Sequence, residues 1–261
     1  MAGSARPAAM PLSDEELDRY ARQLVLPQFG GLGQQRLNSA SVAVIGAGGI
    51  GSAVIPSLAG AGIGALTIVD PDRVDISNLQ RQPIYRSAEV GMAKVRLASD
   101  FVLARNPHVA ISSIAERLDG TNAAGILDGH DLVIDGTDNF ATRLLVSDTS
   151  VALGLPLISA AAQQFQGQVA IFTSHPCYRC FVGDAFDADD CDNCAELGVL
   201  GATVSTIGSY AALMAIRFLA GMADDRGALH LFDASALEWR KIRLLPDPSC
   251  RTCGVQSASS S

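Results

Sequence analysis

The chain has 261 residues, 48% of them hydrophobic and 18% charged, enough to bury one substantial core and too apolar for a disordered polymer. Its net charge of -8 argues against the broad basic face that nucleic-acid binding needs. No secretory signal or membrane span is read: the opening residues hold one Arg and no apolar run, and glycines and Pro56 interrupt the apolar stretch from Ile50 to Val69.

Residues 1–12, rich in Ala and Pro, read as a disordered tail. Ser13-Asp-Glu-Glu16 is a capping box, and Leu17, Tyr20, Ala21, Leu24 and Val25 share one helical face, predicting a helix that ends before Pro27. Val42 to Ile45 has the pattern of a buried parallel strand and runs into the turn Gly46-Ala-Gly-Gly-Ile-Gly51. A helix over 49–61, a strand over 66–70, a helix over 92–105, a strand over 109–115 and a short helix after Asp119 follow. A strand over 131–135 and a helix over 140–153 continue the alternation. Repeated strand–helix units predict an α/β fold: a Rossmann-like, mostly parallel sheet with helices on both faces.

After Pro156 the pattern changes. Residues 157–160 and 168–173 are strand-like, a Cys- and Asp-rich loop spans 175–194, and a helix covers 203–219. The strands 229–232 and 238–245 alternate with polar residues, as an antiparallel C-terminal extension does. Residues 255–261 read as a second disordered tail, which leaves 13–254 as a single domain.

A strand–turn–helix of this kind aims backbone N–H groups and a helix dipole at an anion. Gly46, Gly48 and Gly51 match the dinucleotide fingerprint, with Gly49 among them, and Asp70 ends the next strand, where an acid accepts from a ribose. Alone, the fingerprint fits a nicotinamide or flavin oxidoreductase as well as an ATP enzyme. Asn78, Arg81 and Lys94 shift the reading. An amide and two cations on loops at the carboxyl ends of strands suit a triphosphate, whose leaving pyrophosphate must be neutralised. Asp138, just past the strand over 131–135, is placed to hold Mg²⁺ between phosphates.

All six cysteines fall in Cys-x-x-Cys pairs, Cys177/Cys180, Cys191/Cys194 and Cys250/Cys253. In a chain without a visible signal they suggest a reducing, cytoplasmic compartment, and two such pairs brought together form a closed Zn²⁺ site. His108, His130, His175 and His230 stand singly, without metal spacing.

The chain resembles the ThiF/MoeB/HesA family, bacterial relatives of ubiquitin-activating enzymes, from about Ser13 to Gly254. Arg19-Tyr-Ala-Arg-Gln23, the glycine turn, Asp70, Ser77-Asn-Leu-Gln-Arg-Gln82, Lys94 and Gly136-Thr-Asp-Asn139 carry the resemblance. It implies adenylation of the C-terminal carboxylate of a small ubiquitin-like sulfur-carrier protein ending in Gly-Gly. Asp70 would then hold the ATP ribose, Asn78 and Arg81 the phosphates, Lys94 the charge at the reacting phosphate, and Asp138 Mg²⁺. Arg22 would reach the phosphates of the neighbouring subunit in a homodimer. Cys177, Cys180, Cys250 and Cys253 match the family's structural zinc ligands. Cys194 aligns with a loop cysteine that some members use in sulfur transfer, although Asp184, Asp187, Asp189 and Asp190 beside it should raise a thiol's pKa. Cys191 is not a usual family position, and Gly136 stands where many members have Cys.

With no rhodanese-like extension visible, a separate sulfur donor protein is implied, in a molybdopterin- or thiamin-type pathway. Three rivals remain: a Rossmann oxidoreductase, an enzyme that activates a carboxylate on modified tRNA, and a zinc-stabilised module that binds a partner without catalysis.

Overall fold

The computed structural model describes residues 12–183, 198–222 and 225–254. Cys191, Cys194 and the acidic residues around them, like the tails 1–11 and 255–261, lie outside the described residues.

The capping box forms as expected, with Ser13 and Glu16 bonding each other's backbone, but the helix it starts is short. It breaks at Tyr20 into α1 (Asp14–Arg19) and α2 (Ala21–Leu24). The break lets Tyr20 turn inward to 1% exposure, where its hydroxyl accepts a 2.8 Å bond from Asn106 Nδ2. Next comes α3 (Gly30–Asn38), an element the sequence did not announce. Its three glycines disfavour a helix, and tertiary packing overrides them: Leu37 is fully buried, and buried Gln34 donates to the Ala61 carbonyl at 2.9 Å.

The strands β1 (Ser41–Ile45), β2 (Ala65–Val69), β3 (Ala110–Ile114), β4 (Leu132–Asp135) and β5 (Leu157–Gln163) are parallel, joined in the order β3-β2-β1-β4-β5. The helices α4 (Gly51–Ala61), α5 (Lys94–Arg105), α6 (Ala123–Leu127) and α7 (Phe140–Leu153) alternate with them. β6 (Gln166–Phe172) turns back against β5, so antiparallel pairing begins one element before the predicted extension. β7 (Ala228–Asp233) and β8 (Glu238–Arg243) complete an eight-stranded sheet. A short helix, α8 (Tyr178–Val182), forms inside the predicted cysteine loop.

Both faces of the sheet are covered. Val54 and Leu58 of α4, Ala98 of α5 and Ile207 and Ala211 of α9 (Gly201–Leu219) enclose one core. Leu127 of α6, Leu144 of α7 and Tyr178 of α8 enclose the other. By length and composition α9 could cross a membrane, yet it packs on α4, β5 and β6 as a core helix. The parallel strands all end on one edge, and the short turns after β1 and β4 and the long segment after β2 gather there.

Candidate active site

The helix α4 starts at Gly51, two residues later than the hydrophobic pattern suggests, so Gly46 to Ile50 form an open turn. Gly46 has φ +90, and a Cβ on Gly51 would lie 2.0 Å from the Gly46 carbonyl oxygen. No side chain caps α4; the Ser52 N–H bonds the Gly48 carbonyl at 2.9 Å and the Ala53 N–H the Ile50 carbonyl at 3.0 Å, so the turn closes on its own backbone. The turn is latched from below. Asp70, at the end of β2, accepts from the Ala47 N–H at 2.7 Å and the Asp72 N–H at 2.8 Å, and the Tyr85 hydroxyl donates to the Ala47 carbonyl at 2.8 Å. Burial raises the Asp70 pKa, while Lys94 and the two amides pull it down.

The 75–82 segment is built by its own polar side chains. Asp75 Oδ1 accepts from the Ser77 N–H at 2.8 Å, and Asn78 Oδ1 accepts from the Asp75 N–H at 3.3 Å. Asn78, expected at the phosphates, thus also ties the turn that carries Arg81. The Arg81 guanidinium rests on the Ser77 carbonyl at 2.9 Å. Lys94 opens α5 at 4% exposure, its Nζ 3.1 Å from Asp72 Oδ2.

After β4 the Thr-Asp-Asn motif divides its work. Asp135 Oδ1 accepts from the Thr137 N–H and hydroxyl, and Asn139 caps α7 by accepting from the Thr142 N–H at 2.9 Å. Asp138, between them, is left exposed with its carboxylate at the cavity; its oxygens are hard donors of the kind Mg²⁺ takes.

These segments enclose a cavity of about 800 Å³, in the range of small-molecule sites. It brings together Gly46, Gly48, Gly49, Asp70, Asn78, Arg81, Lys94 and Asp138. Gly51 lies beneath, buried in the start of α4, and exposed Arg22 on α2 is not part of the wall. The wall adds residues to which the sequence reading gave no role: Asp72, Arg143 and Gln82, the last residue of the Asn-Leu-Gln-Arg-Gln motif. Gln82 is 2% exposed with a buried Oε1 that has no hydrogen-bond partner. Asp72 could have been flagged by its place two residues after Asp70.

Outside the cavity lining, the four sulfurs of Cys177, Cys180, Cys250 and Cys253 lie within 4.8 Å of one another. The separations 177–250 and 180–253 are 3.6 and 3.3 Å, against ~3.8 Å for the edge of a zinc tetrathiolate with ~2.3 Å bonds. Burial pushes the Cys177 thiol up and Cys253 to about 11. The Asp247 N–H points at Cys180 Sγ at 3.4 Å. Asp148 of α7 grips Arg179 of α8 with a 2.8 Å contact and accepts from Thr252 Oγ1 at 2.8 Å, fastening both cysteine pairs to the body. The donor set fits Zn²⁺.

Comparison with known proteins decides the family: the ThiF family model matches residues 20–252. The chain belongs to the ThiF family. It is 44% identical over 253 residues to the sulfur carrier protein adenylyltransferase of Thermus thermophilus, covering 94% of this chain and 93% of that protein. It is 39% identical over 247 residues to the molybdopterin-synthase adenylyltransferase of Escherichia coli, covering 93% and 98%. Among solved structures, the microcin C7 biosynthetic enzyme MccB, in complex with N-formylated MccA, superposes with TM-score 0.80 over 90% of this chain and 75% of that one. At 21% identity that likeness speaks for the fold. This member of the ThiF family is an adenylyltransferase, and adenylation of sulfur carriers is what its relatives support.

Proposed function

We propose that this chain adenylates the C-terminal Gly-Gly carboxylate of a small ubiquitin-like sulfur-carrier protein, with 13–254 acting as one adenylation domain. A carboxylate oxygen of the carrier attacks the α-phosphorus of ATP, and the bond to the pyrophosphate oxygen breaks. The carboxylate is ionised near neutral pH, so no general base is needed, and catalysis is positioning plus electrostatics. The observation that carries this reading is the convergence of Arg81, Lys94 and Asp138 on one cavity above the glycine turn. Asn78 and Arg81 hold the phosphates, Lys94 faces the charge on the reacting phosphate, and Asp70 accepts from the ribose. Asp138 holds Mg²⁺, which when bound neutralises phosphate oxygens.

Arg22 acts across a homodimer. Supporting this, Val25 and Leu26 after α2 and Leu32 on α3 are 73, 50 and 72% exposed, an apolar surface beside it. Zn²⁺ sits at the four cysteines as a structural ion that anchors the end of the chain. The acyl-adenylate then passes to thiocarboxylate formation with sulfur from a separate donor protein, in cofactor biosynthesis of the molybdopterin or thiamin type.

Intact-mass measurement tests the Gly-Gly assignment. With ATP and Mg²⁺, a carrier ending in Gly-Gly is expected to gain one adenylyl group, and the same carrier lacking its last Gly is not. An adduct on both would refute it.

A further inference from the structure

Arg143 lies on α7 one turn beyond the Asn139 cap, 8% exposed and on the wall of the cavity. Its guanidinium donates to the Thr137 carbonyl and, at 3.3 Å, to the Ala160 carbonyl of β5. Thr137 directly precedes Asp138 and is gripped from its other side as well. Asp135 Oδ1 takes the Thr137 N–H at 3.0 Å and its hydroxyl at 2.7 Å. The N–H, hydroxyl and carbonyl of Thr137 are therefore all committed, and Asp138 is presented from a fully tied turn.

The second oxygen of Asp135 is buried without a hydrogen-bond partner. Burial raises the pKa of that carboxyl, and Arg143 is the charge that opposes the rise. Arg143 thus does two things: it balances a buried carboxylate, and it spans two backbone carbonyls on different elements. A lysine could do the first. It could not do the second in the same geometry, because both bonds come from Nη2, which stands one bond farther from Cα than a lysine Nζ.

We propose that Arg143 is a positioning residue of the adenylation site, tying the Thr137–Asp138 turn to β5 and so setting where the Asp138 carboxylate meets the metal–nucleotide complex. Through the two carbonyls that Nη2 holds, its effect reaches the ligand by way of Asp138. This inference rests on the reading of Asp138 as the Mg²⁺ residue.

The test measures Mn²⁺ binding to the full chain with α,β-methylene ATP, by the loss of the free-ion electron paramagnetic resonance signal. Arg143→Lys is expected to melt as a folded protein and bind the nucleotide without metal as wild type does. Its Mn²⁺ affinity in the ternary complex is expected to fall ~10-fold, the lower end for losing a group that orients a metal ligand. Asp138→Asn, run beside it, separates the two claims. If Asp138→Asn binds Mn²⁺ as wild type does, the assignment of Asp138 fails and this inference falls with it. If Asp138→Asn is weakened and Arg143→Lys is not, Asp138 stands and the role of Arg143 is overturned. Should Arg143→Lys fail to fold, the paired change Asp135→Asn with Arg143→Gln removes both buried charges while still losing the bridge. The same ~10-fold weakening is expected of it, and wild-type Mn²⁺ affinity would overturn the proposal.

Discussion

Two alanine substitutions in one turn should fail in different ways. A Cβ on Gly51 must move from 2.0 Å to at least 3.4 Å from the Gly46 carbonyl oxygen to reach ordinary contact. Gly46 cannot yield freely: its φ is +90, and its N–H is bonded to the Val69 carbonyl at 2.8 Å. Overpacking of this kind costs about 1–3 kcal/mol. At ~2–4 °C per kcal/mol for a chain of this size, Tm should fall by roughly 2–12 °C. ATP affinity should drop too, because the backbone of the turn that borders the cavity moves. On Gly48 the added Cβ meets only Gln82 Nε2, at 3.7 Å, an ordinary contact. Gly48→Ala should therefore keep its melting temperature. It should still lose at least ~10-fold in ATP affinity, since the second glycine of such a fingerprint is the one that lets backbone approach phosphate. Differential scanning calorimetry and titration calorimetry with ATP read the two quantities separately. A wild-type Tm for Gly51→Ala, or wild-type ATP affinity for Gly48→Ala, would refute the reasoning.

Arg81→Ala and Asp138→Ala should each lower carrier-dependent ATP–pyrophosphate exchange by ~10²-fold or more, with the circular dichroism melt unchanged, as removal of transition-state charge stabilisation does. Cys253→Ser should lose bound zinc by atomic absorption and release the C-terminal segment to a protease; full zinc content would place the metal elsewhere. Burial lowers the pKa of His230 from 6.5, so the unfolded chain takes up a proton that the folded one resists. Stability owed to neutral His230 is present above pH 6.5 and lost as pH falls from there toward the folded value. Wild type minus His230→Gln in denaturant midpoints should shrink over that window, and a flat difference would contradict the buried, neutral imidazole.

The parallel half of the fold was legible because its strands are short apolar runs ended by polar turns, and the two faces of β1 and β4 are both buried. The antiparallel start at β6 was not, since a strand covered on both faces looks alike whichever way it runs. The helix α3 escaped because its glycines mask a pattern that only packing on α4 and α9 makes clear. In the site, Asp70, Asn78, Arg81, Lys94 and Asp138 announced themselves by motif; Gln82 stood in a motif without a role, and Arg143 stood in none. Arg143 finds its partner on β5, and Gln82 shares a cavity wall with the glycine turn, both distant in sequence. Asp135 and Asn139 show the converse: one motif holds side chains that serve the backbone on either side of Asp138, which faces the cavity.

The most direct measurement is ATP–pyrophosphate exchange by the zinc-loaded protein with Mg²⁺ and a panel of Gly-Gly-terminated sulfur carriers. The account predicts exchange that requires one such carrier and vanishes when its terminal Gly is removed. Absence of exchange with every carrier, in protein shown to be folded and to bind ATP, would contradict it.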